Sequence, residues 1–221
     1  MPIMKIKLHF IYISLLITGL VAGGCRSAKV PLTATPFAPL RERLPAVEVA
    51  ADPGPMGTSD GMLPEDPLRL LNDELQRNVA EPTDSATYGY VRLVVTHAST
   101  RRLQRGLQAL QMALLLTPTF LGVPLETYQT DVTAEVQVSD AQGRLLGTYA
   151  GTGRGRARVA MYYGYAQKNA PRLADVLALR QALARIRPQL DTAAARLKPL
   201  LLAHGPVDNP TLPTTAARAR R

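Results

Sequence analysis

The residues best suited to chemistry in this chain are three histidines, one cysteine and a set of regularly spaced arginines. His9, His97 and His204 lie far apart, and no two of them share metal-ligand spacing. The sequence has no Walker phosphate loop and offers no convergent Ser, His or Glu set for a hydrolase. Gly151-Thr152-Gly153-Arg154-Gly155 superficially suggests a phosphate loop. Such loops open a helix, however, and the residues that follow alternate like a strand, so the glycines are read as permitting a bulge or bend. Asp131, Glu135 and Asp140 alternate along a strand pattern or sit at its turn, which exposed strand polarity accounts for without an acid/base pair. The expectation is therefore no catalytic site, no metal and no cofactor, and His97 is read as a surface or polar-contact residue.

Cys25 is the only cysteine of the 221 residues, so it can form no disulfide within the chain. Lys5 and Lys7 precede an apolar run from Phe10 to Ala22, too short for the roughly 20 residues a membrane span needs. The run suits the apolar middle of an export signal, and Ala22, Gly23 and Gly24 then lead into Cys25. This segment resembles the lipobox of bacterial lipoproteins, with Ala22 where Leu is usual. The resemblance implies export, cleavage after residue 24 and multiple acylation of Cys25, which supplies the second anchoring signal that one acyl chain lacks. Arg26 after the cysteine, by likeness to enteric sorting rules, points to the outer membrane.

The charge is unevenly spread. Residues 26–153 carry 11 basic and 14 acidic side chains, whereas residues 154–221 carry 13 basic and 3 acidic. One surface is therefore expected to face something anionic. Arg154, Arg156 and Arg158 share one face of a strand pattern, and the helix pattern after them adds Arg172, Arg180, Arg185 and Arg187. Guanidinium groups pair bidentately with phosphates and carboxylates, which suits lipid headgroups, envelope glycans or an acidic protein. A solvated basic face that only aids solubility is the plainer alternative. Export removes the chain from nucleic acid, and no aromatic residues interleave for base stacking.

The elements that must carry these residues follow from periodicity. Residues 26–66, rich in Pro, Ala, Gly and Thr, read as a flexible tether. Asp66-Pro67 opens a helix whose Leu68, Leu71, Leu75 and Val79 recur at helical spacing. A strand follows over about 87–97, and Ser99 or Thr100 caps a helix in which Arg101, Arg102 and Arg105 occupy the first turns. The apolar segment 114–125 is either a buried helix and turn or a hairpin that dips into the membrane. Val132, Ala134, Val136 and Val138 alternate with polar residues as in a half-buried strand, Asp140-Ala141-Gln142-Gly143 turns, and Leu145–Thr152 returns, continuing extended to Tyr163. Asn169-Ala170-Pro171 starts a long helix that Pro188 should kink or break, with Asp191 capping a second piece that reaches about Ala203.

The order of strand, Asp-x-x-Gly turn, strand ending in glycines and long Ala/Leu helix over about 128–200 is similar to the α/β domain of transport-auxiliary and curli-secretion-type envelope lipoproteins. The expected architecture is α+β: a small, mostly antiparallel sheet packed against two or three helices. Residues 1–24 form the signal, 25–66 the lipidated cysteine and tether, 67–203 one domain, and 204–221 a disordered basic tail. The expected role is a non-enzymatic accessory, scaffold or binding component anchored in the envelope. A membrane-active or oligomerising component that uses 114–125, and a hydrolase with an unrecognised site, are the alternatives.

Overall fold

In a computed structural model, the structure describes residues 27–28, 31–32, 36–81, 86–103, 123–160 and 164–207, with positions 106, 109, 113 and 114 between them. The expected signal, Cys25, most of the 114–125 segment and most of the tail lie outside the described residues. Four strands, β1 (Glu48–Asp52), β2 (Gly89–Leu103), β3 (Glu126–Asp140) and β4 (Leu145–Val159), form one sheet in the order β1-β2-β3-β4. β1 runs parallel to β2, and the other two pairings are antiparallel. The expected α+β class holds, with the parallel edge strand making the sheet mixed. Helix α1 (Asp66–Glu74), extended by a π-turn over Leu75–Val79, and the long helix α2 (Ala170–Ala203) cover one side of the sheet.

β3 and β4 form the hairpin that the alternation predicts. Asp140 builds its turn: the fully buried carboxylate accepts from the backbone N–H of Gln142 at 3.0 Å and of Arg144 at 2.8 Å, and pairs with the Arg144 guanidinium at 2.8 Å. Burial raises the Asp140 pKa, but these donors outweigh it and hold the carboxyl below its ordinary value. Gly143 takes the positive φ of 78° that closes the turn.

The glycines of β4 form no bulge. Gly151, Gly153 and Gly155 pair in unbroken register with Ala134, Val132 and Thr130 of β3. Their missing side chains instead admit α2. A Cβ on Gly155, Gly153 or Gly151 would come closer than 3.0 Å to the carbonyl oxygen of Ala174, Ala178 or Ala182 respectively. The two repeats match in length, because two strand residues rise about 6.8 Å and four helix residues about 6.0 Å. Small residue therefore meets small residue along three turns, and the helix backbone rests directly on the strand. Leu179, Leu183 and Ile186 flank this seam and meet Val91, Leu93, Val132, Val136 and Val138 in the core.

Three expectations are corrected. Residues 36–66 are not a free tether: β1 lies within them, and Leu40, Leu44, Met56 and Met62 are core residues. They enter the core one at a time from irregular backbone, which leaves no period to detect. The helix expected from Ser99 or Thr100 is displaced, because β2 continues to Leu103 and pairs Thr100, Arg101 and Arg102 with Thr130, Gln129 and Tyr128. Pairing with β3 overrides the local helical pattern there. Finally, Pro188 does not end α2, which runs through Pro188 and Pro199. Ile186, Leu190 and Ala194 on either side of Pro188 are buried, whereas Pro188 and Ala184, whose carbonyl loses its partner, are exposed to solvent. Asp191 accepts instead from the Arg41 backbone N–H at 2.8 Å.

Gly153→Ala should destabilise the domain by about 1–3 kcal/mol or more, the range for overpacking a filled core. Urea denaturation of Gly153→Ala beside an exposed control, Ala150→Ser, measures it; equal stabilities would refute the seam.

Candidate functional site

The packing of α2 on the glycine side of β4 forces the alternate residues Thr152, Arg154, Arg156 and Arg158 to the opposite, exposed side. Arg154 pairs with Asp131 of β3 at 2.5 Å, and that hydrogen bond holds the Asp131 carboxyl below its ordinary value. Gln129 links the row, donating to Asp131 at 3.1 Å and accepting from Arg156 at 2.7 Å. Arg158 stands at the end of the row, beside Thr127.

β4 is also an edge strand, and edges invite unwanted pairing. α2 reaches over this one. Gln181 accepts from the Arg154 backbone N–H at 2.5 Å, Arg185 donates to the Thr152 hydroxyl at 2.6 Å, and Gln189 donates to the Ala150 carbonyl at 2.7 Å. Their spacing of four places them on one helical line.

The arginines that the sequence groups together are divided by the fold. Arg172 is bound to the buried Asp66 through two bonds of 2.8 Å. Burial raises the Asp66 pKa, but Arg172, the Leu63 N–H and Arg69 together bring it below the ordinary value. Arg180 donates to the carbonyls of Pro31 and, at 2.8 Å, Leu32; burial lowers its pKa. Arg187 pairs with Glu74 at 2.5 Å. These three fasten α1 and the preceding segment to α2, on the side of the sheet away from Arg154, Arg156 and Arg158.

A polar cavity of about 790 Å³ opens beside the start of α2, between residues 55–60, the end of β2 and Tyr128. At its base the fully buried Asp175 accepts from Ser59 at 2.6 Å, Thr130 at 2.6 Å and Thr100 at 3.2 Å. Burial pushes the Asp175 pKa up despite these three hydroxyls. The Arg102 guanidinium lies 5.3 Å from the Tyr128 ring centre, and burial together with Glu126 raises the Tyr128 pKa. One Glu126 oxygen is buried without a partner among the described residues. None of Ser59, Thr100, Thr130, Glu126 or Asp175 was singled out by spacing. Two signals were available: a carboxylate set inside the apolar stretch Leu173-Ala174-Asp175-Val176, and the Gly-x-Ser-x-Gly spacing of Gly57-Thr58-Ser59-Asp60-Gly61, which here follows a 3-10 turn rather than joining a strand to a helix.

Among the described residues Ser59 has no histidine base: His97 is exposed on β2, and His204 meets the Leu200 carbonyl at 2.7 Å. Among the described residues no cluster of His, Cys, Asp and Glu is arranged to hold a metal ion, and no helix is long and apolar enough to cross a membrane. No protein-family model and no curated protein matches the chain.

A carboxyl whose pKa rises on folding contributes stability that is full below its unfolded value, near 3.8, and is lost as pH climbs through the raised value. Asp175→Asn removes this titration. Its melting temperature relative to the parent should therefore improve from about pH 4 to about pH 8. A constant or declining difference, read by calorimetry, would contradict an Asp175 carboxyl that resists ionisation.

Proposed function

We propose that this chain is an envelope lipoprotein, anchored through acylated Cys25, that serves as a non-enzymatic accessory and binds an acidic partner through the outward face of β4. The carrying observation is the row of Arg154, Arg156 and Arg158, exposed at period two on a strand whose other side is locked against α2. A rigid row of guanidinium groups with polar neighbours is preorganised for carboxylates or phosphates, which lowers the ordering cost of binding. Asp131 and Gln129 hold two of the three groups in place and leave donors of the planar forks available.

The partner class favoured is an acidic protein or anionic glycan of the envelope. Arg172 and Arg180 are not part of the binding face, because their donors serve Asp66 and the carbonyls of Pro31 and Leu32.

Two experiments test the reading. Cys25→Ala should abolish incorporation of labelled fatty acid and release the chain from membranes; persistent label would reject the anchor. Replacing Arg154, Arg156 and Arg158 together by Ala should sharply reduce in-cell crosslinking to acidic partners while leaving the melting curve within about 1 kcal/mol, as for exposed pairs. Undiminished crosslinking by that variant would reject the β4 face.

A further inference from the structure

The segment after Cys25 is fastened to the domain almost at once. Arg180 donates to the carbonyls of Pro31 and Leu32, and Leu32 packs against both core clusters. Asn78, fully buried in the π-turn, accepts from the Ala38 N–H at 2.7 Å and donates to the Pro36 carbonyl at 3.0 Å. The Leu40 N–H reaches the Asn78 carbonyl at 2.7 Å, and the fully buried Leu44 is held by Val79 at 2.9 Å. Residues 31–32 and 36–44 are thus a strap across α1 and α2. Arg180, Pro31, Pro36 and Ala184 border one groove of about 320 Å³, which fixes the side of α2 that the strap crosses.

Only six residue steps separate Cys25 from Pro31, and a fully extended chain covers about 20 Å in that distance. The strap also carries an apolar side chain that the domain does not use: Phe37 is 73% exposed. Around it, residues 26–44 hold Arg26, Lys29, Arg41 and Arg43 against one acidic residue, Glu42. An exposed aromatic ring within a basic stretch of sequence suits the boundary of an anionic lipid surface.

We infer that the strap seats the α1–α2 side of the domain on the lipid surface, with Phe37 as its apolar contact. The inference rests on acylation of Cys25. It assigns the partner of this surface as membrane lipid, and it denies the domain the long reach that a free tether would give.

The test uses full-length protein processed and acylated in cells, purified and returned to vesicles of phosphatidylethanolamine and phosphatidylglycerol. Mass analysis of the N-terminal peptide first establishes the acyl group; its absence would reject the lipoprotein reading and the inference with it. Because acylation consumes the Cys25 thiol, a dye can be placed on Ala184→Cys, beside the strap, or on Thr148→Cys, on the opposite side of the sheet. Energy transfer to a headgroup-labelled lipid should be higher from position 184 than from 148. Inserting a Gly/Ser linker of about 20 residues between Arg26 and Ser27, with a mean span near 25 Å, together with Phe37→Ser, should erase that difference. This change alters only an exposed side chain of the strap and leaves the bonds that pin it untouched, so folding is checked by an unchanged melting curve. Equal transfer in the acylated parent overturns the inference, as does a difference that survives the linker and Phe37→Ser.

Discussion

The structure depends on the contact between three glycines of β4 and three alanines of α2. At Gly151, Gly153 and Gly155 any side chain would strike the helix backbone, so the helix sits as close to the strand as two backbones allow. Close approach along three turns fixes the axial position of α2 as well as its tilt. Everything else α2 carries is placed by that registration. Asp175 meets Thr130, Arg185 meets Thr152, and Gln189 meets the Ala150 carbonyl because the seam sets where each turn lies along β4.

The same helix gathers part of the buried charge of the domain. Arg172, Arg180 and Arg187 turn inward to Asp66, to the strap carbonyls and to Glu74. Such pairs do little net work for stability, since desolvation cancels much of their attraction, yet breaking one leaves an unpaired buried charge at about 3–5 kcal/mol. Their contribution is registration: each guanidinium accepts one arrangement of α1 or of the strap and penalises the others. The strong basic excess of residues 154–221 is thus partly internal wiring, and the side chains free to act outwardly are fewer than composition suggests.

The sequence made the β3–β4 hairpin, the Asp140 turn and the extent of α2 legible, because each rests on a local rule: alternation, turn chemistry and helical periodicity. It also showed the arginine alternation on β4. Less legible were the features that depend on a distant partner. The glycine run has the same composition whether it makes a bulge, a phosphate loop or a helix seat, and only the alanines at spacing four in α2 distinguish the last. β2 reads as helical beyond Ser99, and its pairing with Tyr128–Asp131 decides otherwise. Residues 36–66 look like linker because Leu40, Leu44 and Met56 are separated by prolines and polar residues, although each is buried in the core. Asp175 was hidden for a similar reason, since its three hydroxyl donors come from three separate segments.

The period of a strand ties the two proposed surfaces together. Because side chains alternate across β4, the face that bears arginines is necessarily opposite the face that receives α2. The strap is bound to α2 and α1, hence it lies on the far side of the sheet from Arg154, Arg156 and Arg158. On the proposed reading, lipid engages one side and the acidic partner the other, with the sheet as a rigid spacer between them. A flexible tether would let the arginines turn back onto anionic headgroups and be neutralised there. On the same reading, pinning residues 31–32 and 36–44 prevents this. On that reading, the packing that puts small residues on one face of β4 also points its basic face away from the membrane.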